Sequence, residues 1–438
     1  MKNAILIIAL LSSTLLSGQR QLLQSGPMVG YSQMMEVLLW VQTTEAAKVQ
    51  IRYWEVGDPK NKKETAVVST SAEEAFTAKL VADQVEPGKQ YEYEVLINWK
   101  KLSLPYPLEF QTQALWQWRT DPPDFKIALG SCAYINEPDY DRPGDPYGGG
   151  YHIFSTIHEM EPDAMLWLGD NIYLREVDWY SRTGTFGRFT HSRSLPELQP
   201  LLASTHHYAI WDDHDFGPDN SDRSFLQKNW TLDAFKLFWG NPTFGLPGQE
   251  GITTHFQFND IDFFLLDNRY YRSPNQRKTG KKTILGEVQL EWLIDVLVNS
   301  QAPFKMVAIG GQVLNTAEVH ETYINHHSEE REYLLRRIEE EGITGVVFLT
   351  GDRHFSELSH YTNASGNDVY DLTVSPLTSG FVEETTENNE YRVEGTLVNQ
   401  RNFGMLEFSG PREERVMKIT IYSNDGEEVW SREIRNIE

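Results

Sequence analysis

The chain has 438 residues, 40% apolar and 23% charged, which suits two or three domains with a large buried core and excludes a disordered, collagen-like or coiled-coil protein. Its 39 Lys and Arg against 63 Asp and Glu leave a net charge of −24, so it repels polyanions at long range; nucleic-acid binding and adhesion to an anionic membrane are poor function classes for it. Phosphate chemistry stays compatible with such a surface where metal ions supply local positive charge. The single cysteine, Cys132, rules out an intramolecular disulfide, a zinc ribbon and a redox pair.

Lys2, the apolar run Ile5 to Leu16 and the small residues Ser17 and Gly18 have the three parts of a secretory leader, which predicts a Sec-type signal peptide over residues 1–18 and an exported, periplasmic or extracellular protein. That run is too short to span a membrane, and no other segment is long enough. Residues 22–114 contain short β-branched and aromatic runs, "MEVLLWVQT", "AKVQIRYWEV", "AFTAKLV" and "KQYEYEVLINW", separated by turns at Gly57-Asp58-Pro59 and Pro87-Gly88. This spacing predicts a small antiparallel β-sandwich of immunoglobulin or fibronectin type, followed by a linker from Trp116 to Pro123. From residue 124 to 438 the pattern changes to apolar strands alternating with amphipathic helices. The strands are "FKIALGSC", "DAMLWLGDNIY", "HHYAIWDDHD", "IDFFLLDNR", "FKMVAIGGQ" and "TGVVFLTGDRH"; the helices include "SLPELQPLLAST", "SFLQKNWTLDAFKLFWG" and "LGEVQLEWLIDVLVN". That alternation predicts a layered α/β domain with a largely parallel core, and the chain ends on antiparallel strands turned at Asp425-Gly426.

The chemistry lies at the downstream ends of the apolar strands: Cys132; Asp170 with Tyr173; Asp212 to Asp215; Gln312; Asp352 with His354. Ligands of open α/β sheets bind beyond these carboxyl ends. Each feature alone has a plain structural reading: Cys132 as a small hydrophobe, Gly169-Asp170 as a turn, Asp352 to His354 as a surface ion pair. Together they predict a metal centre, because carboxylates brought into one crevice must be paired or coordinated. Carboxylates with a phenolate suit a trivalent or alkaline-earth cation, and a thiolate adds preference for iron.

The segments "LGSC", "GDNIY", "IWDDHDFGPDN", "LLDNRYYR" and "LTGDRHFSEL" together resemble the alkaline phosphatase D (PhoD-like) family of metallophosphatases, over about Lys126 to Leu377. The resemblance implies that Cys132, Asp170, Tyr173 and His354 hold a ferric iron (Fe3+), and that Asp170 bridges to a calcium (Ca2+) site using Asp213, Gln312 and Asp352. It also implies a further calcium drawing on Asp215, Asp219, Asn220 and Asp222. Asp170, Tyr173, Asp213, Asp352 and His354 further match the ligand skeleton of the purple acid phosphatases, with Cys132, Asp213 and Asp352 standing where those have Asp, Asn and His. The best-known members carry a twin-arginine leader, whereas the start of this chain reads as an ordinary Sec-type one. The expected function is hydrolysis of small phosphate esters by a metal-activated water. His214 would protonate the leaving oxygen or orient a ligand; Arg269 would contact phosphate or form a structural pair with Asp267. The rivals are a phosphodiesterase or phospholipase on the same centre, and a non-catalytic exported binding protein.

Overall fold

A computed structural model describes residues 22–435, and the leader expected over residues 1–18 lies outside the described residues. Two mixed sheets pack face to face. In the first, nine strands run in the spatial order Glu428–Arg435, Val416–Ser423, Asn402–Ser409, Phe125–Gly130, Ala164–Leu168, His206–Ile210, Leu23–Ser32, Val37–Thr43 and Thr77–Ala82. In the second, six strands run Thr254–Phe258, Ile261–Leu265, Lys305–Ala308, Val346–Thr350, Asp368–Thr373 and Glu357–Thr362. The interior strands of each sheet are parallel and their edges antiparallel, the arrangement expected of the α/β pattern.

The continuous apolar runs follow from burial on both faces. In Ile261–Leu265, Phe263 and Leu265 point into the core between the sheets, with Leu129, Met306 and Leu349. Phe264 and Leu266 point the other way, onto Leu290, Leu293 and Leu297 of the helix Glu287–Asn299 and Leu334 of the helix Tyr323–Glu340. Between the sheets Tyr208 stacks on Phe256 with ring centres 3.8 Å apart.

The N-terminal strands also form two facing antiparallel layers: Val29, Leu39 and Val41 pack against Val49, Ile51, Tyr53 and Val95. The layer that includes Leu23–Ser32 is nevertheless not separate. This strand pairs in parallel with His206–Ile210, through Val29 and His206, so one sheet runs unbroken across the expected boundary between residues 22–114 and 124–438. Other expectations are corrected locally. The helix expected over "SLPELQPLLAST" is a 3-10 turn at Pro196–Leu198 followed by the six-residue helix Gln199–Ser204, since Pro196 and Pro200 each sit at a helical start. The strand of "HHYAIWDDHD" stops at Ile210, and Asp213–Phe216 is a helical turn. A helix at Arg182–Arg193 and the antiparallel pair Glu357–Thr362 with Asp368–Thr373 had no counterpart in the sequence reading. Among the described residues no helix is long and apolar enough to cross a membrane.

Candidate metal centre

Parallel strands from both sheets end at one edge, and the chain leaves them in a conformation that few side chains tolerate. Cys132 (φ 58°), Asp170 (φ 52°), Asn220 (φ 59°), Asp352 (φ 63°) and His354 (φ 57°) all lie in the left-handed region, where a non-glycine residue costs on the order of 1 kcal/mol or more. Five expected site residues sharing this conformation marks a place where the surrounding structure imposes geometry. Gly169 (φ 94°) allows the turn into Asp170; a Cβ there would lie 2.8 Å from the Cβ of Asp212.

Asp170, Asp212 and Asp213 are fully buried or nearly so, and the Asp352 side chain is 8% exposed. Ligand atoms of Asp170, Asp213 and His214 lie within 4.8 Å of one another, as do those of Asp212, Asp213 and Asp352. Asp213 thus links two adjoining groups. Asp170 Oδ1 accepts the backbone N–H of His214 at 3.2 Å, and its Oδ2 lies 3.9 Å from Cys132 Sγ. Burial, reinforced by the charges of Asp213 and Cys132, pushes the Asp170 carboxyl far above the ordinary range, and burial with the charge of Asp212 does the same to Asp352. Asp213 goes the other way. Against the burial penalty, His214 and the Arg269 guanidinium hold it below its usual value, helped by the Asn220 N–H at 2.5 Å.

Cys132 is completely buried and accepts from Ser375 Oγ at 3.2 Å; burial and then the Asp352 charge push its thiol up to about 12. Tyr173 stacks on His214 with ring centres 4.4 Å apart. His354 donates from Nδ1 to the Gly380 carbonyl at 2.6 Å, which leaves Nε2 as the lone-pair nitrogen, and burial pushes it down to about 4, so the ring is neutral.

The residues fit a cation. Among the described residues, Tyr173 Oη, Asp213 Oδ1, Asp352 Oδ2 and Asp212 Oδ2 are buried without a hydrogen-bond partner. Buried oxygens of this kind are otherwise costly, and three carboxylates around them, those of Asp170, Asp213 and Asp352, have no partner of opposite charge closer than the 4.0 Å that separates Asp213 from Arg269 and Asp352 from His320.

Not every expected residue is placed with these groups. Arg269 is fully buried beneath the cluster: Nε donates to Asp212 Oδ1, and Nη2 to Glu321 Oε2 at 3.1 Å. It therefore lacks the exposure that contact with a phosphate requires. It is a structural cation, and its charge partners are Asp212 and Glu321; Asp267 only accepts its backbone N–H. The Gln312 amide is committed to Glu357, Thr373 and Asn315. Asp215 does not join the acidic loop of Asp219, Asn220 and Asp222. It accepts from the backbone N–H groups of Asn171, Ile172 and Asp212 at 3.0 to 3.1 Å, and burial raises it to about 8. Asn220 itself donates from Nδ2 to Asp219. Glu321 is the residue missed, and Asp212 was named at its strand end without a role of its own. The doubled Asp212-Asp213 was a visible signal, whereas Glu321 comes from a distant loop and had none.

A crevice of about 890 Å³ opens onto Tyr173 and His214, walled by Tyr134, Tyr147, Arg175 and the loop from Pro138 to Pro146.

Two facing mixed sheets with acidic strand ends at one edge define a metallophosphatase fold. The solved structure of PhoD superposes with a TM-score of 0.74 at 16% identity, covering 95% of this chain and 93% of that one. Purple acid phosphatase PPD1 from yellow lupin gives 0.69 at 11% identity, covering 94% and 74%. The family model described as PhoD-like phosphatase matches residues 127–411, and the chain belongs to that family. Residues 20–114 match a domain family of unknown function. Alkaline phosphatase D of Bacillus subtilis (strain 168) is 23% identical over 341 residues, which is 65% of this chain and 54% of that relative, so the chain spans about half the relative's length.

Proposed function

We propose that this chain is a metal-dependent phosphoric ester hydrolase acting on small phosphate esters, with an iron held by Cys132, Asp170, Tyr173 and His354 and a calcium held by Asp170, Asp213 and Asp352. The observation that carries the reading is the set of buried oxygens on Tyr173, Asp213 and Asp352 without a hydrogen-bond partner, next to a crevice that Tyr173 and His214 line. When bound, the ions supply charge neutralisation for the phosphoryl oxygens and an acidified water. The chain supplies the rest. Asp170 would serve both ion sites and His354 would offer the lone pair of Nε2, while the Tyr173 ring, stacked on His214, fixes its plane. His214, 19% exposed at the side chain and facing the crevice, holds a proton for the leaving oxygen, with Asp219 Oδ1 at 3.8 Å from its Nε2. Purified protein is expected to release p-nitrophenol from mono- or bis-p-nitrophenyl phosphate. Activity on neither, with metals bound, would replace this reading by a binding protein.

Hard carboxylates favour a hard, weakly held cation at the second site. A calcium-selective chelator is expected to remove the activity and calcium alone to restore it; restoration by zinc and not by calcium would overturn the assignment. At the first site, a thiol pushed up to about 12 stays protonated and inert unless a cation stabilises the thiolate. Thiolate and phenolate on ferric iron give a visible charge-transfer band. The Cys132→Ala variant is expected to lose that band and most of the activity while keeping its melting temperature; a colourless, iron-free enzyme of full activity would return Cys132 to the role of a core hydrophobe.

Lys2 and the apolar run to Leu16 support export through a cleaved leader. The secreted protein is expected to begin close after Gly18, which N-terminal sequencing checks.

A further inference from the structure

Arg175 lies two residues beyond Tyr173, on the turn that leaves Asp170, and is 6% exposed. Its Nε donates to Tyr134 Oη at 3.0 Å, and its guanidinium carbon sits 4.4 Å from the centre of the Tyr134 ring and 5.5 Å from that of Tyr173. Among the described residues nothing accepts from Nη1 or Nη2, and no carboxylate lies within ion-pair distance. The nearest acid through bonds, Asp141, is already taken up by the Tyr134 hydroxyl at 2.6 Å and the Glu137 N–H at 2.7 Å.

Each of the other buried arginines has at least one bond from its guanidinium to a carboxylate or a main-chain carbonyl, although Nη2 of Arg188, Nε of Arg193 and Nε of Arg272 are left without a partner. Arg188, Arg269, Arg272 and Arg415 have carboxylate partners. Arg193 and Arg331, without a carboxylate, donate to main-chain carbonyls. Arg175 differs in that both terminal nitrogens lack a protein acceptor among the described residues and neither is sealed from the crevice, although the residue as a whole is 6% exposed. A buried charge needs a counter-charge, and the planar fork of arginine matches an oxyanion in two-point contact.

Arg175 lines the same crevice as His214, whose volume of about 890 Å³ exceeds the need of one phosphoryl group. Among the described residues, none of Asp170, Asp213 or Asp352 forms an ion pair with Arg175, and its guanidinium lies over the Tyr134 ring on the wall of the crevice. We propose that Arg175 recognises a second oxyanion on the organic portion of the substrate, so that the crevice takes phosphate esters carrying a further phosphate or a carboxylate. This rests on the phosphoester reading of the same crevice.

The test compares phenyl phosphate, 4-carboxyphenyl phosphate and 1,4-phenylene bisphosphate on the metal-loaded wild type and on Arg175→Met, which keeps the apolar stem over Tyr134 and removes the charge. The preference in kcat/KM for the two doubly anionic esters over phenyl phosphate is expected to fall by about tenfold or more, the usual weight of a charged hydrogen-bond partner. A fall for the bisphosphate alone identifies a phosphate as the second group; a fall for both identifies a general oxyanion site. An equal loss on all three substrates overturns the proposal. Should Arg175→Met fail to fold, Arg175→Lys, which keeps the charge and loses the fork, is expected to cut the preference severalfold, and an unchanged preference overturns the proposal. A binding measurement separates this idea from the activity itself: by calorimetry, wild type is expected to prefer 4-carboxybenzylphosphonate over benzylphosphonate even if no ester is turned over. Equal affinity for the two ligands in the wild type would sink the second-oxyanion site.

Discussion

Asp170→Asn is expected to lower kcat by well over tenfold while leaving the metal-free protein at least as stable as the wild type. The two halves have one cause. Asp170 is fully buried among Asp213, Cys132 and Asp352, and its carboxyl is pushed far up by burial and by those neighbours, so without ions folding at neutral pH must protonate it, a cost that a neutral amide of the same shape avoids. The same amide deprives both proposed ion sites of the carboxylate they share. Turnover of metal-loaded protein and melting of chelated protein give the two readings. A variant that kept more than about a tenth of the wild-type kcat, a deficit under ~1.4 kcal/mol, would reject the bridging role of Asp170.

Arg269→Met is expected to be the most destabilising single change near the site, by about 3–5 kcal/mol, the usual cost of removing one partner from a buried ionic network. Its guanidinium is fully buried and joins Asp212 to Glu321, and Glu321 is in turn held by Arg272 through both oxygens at 2.9 and 3.1 Å. Burial opposes ionisation of Glu321, yet the two arginines hold it down to about 2, so Glu321 is charged throughout the neutral range, whereas burial pushes Asp212 up against the pull of Arg269. Without Arg269, Asp212 keeps only Asn268 Nδ2, at 2.7 Å, as a side-chain donor. Urea unfolding measures the loss. Normal stability with a raised KM would mean instead that Arg269 meets substrate.

Much of the site was legible because metal ligands must be polar and the strands that carry them must be apolar. A run such as "AMLWLGD" announces its own end, and Cys132, Asp170, Asp213, Asp352 and His354 were all named as candidates that way. The hairpin from Thr254 to Leu265 was legible too and was passed over: "THFQF" alternates, and Asn259 at its end takes the positive φ (50°) that a tight turn asks for. The helix Arg182–Arg193 was not legible. Gly184, Gly187 and three threonines are weak helix formers, and its formation depends on Phe186 and Phe189 packing into the core and on Arg188 pairing with Asp178 and Glu137.

By itself the sequence determined the alternation of strands and helices, the edge at which the polar groups gather and the family resemblance, since these depend on residue type and local period. Only the tertiary structure decided what each charge faces. Arg269 and Arg175 are both arginines beside site motifs, yet one is locked between Asp212 and Glu321 while the other has two unpartnered nitrogens on the crevice. The difference arises from contacts across 52 and 41 residues of chain, from Arg269 to Glu321 and from Arg175 to Tyr134. The same holds for the join between the N-terminal strands and the larger sheet: one parallel pairing, Val29 with His206, spans a separation that no local pattern records.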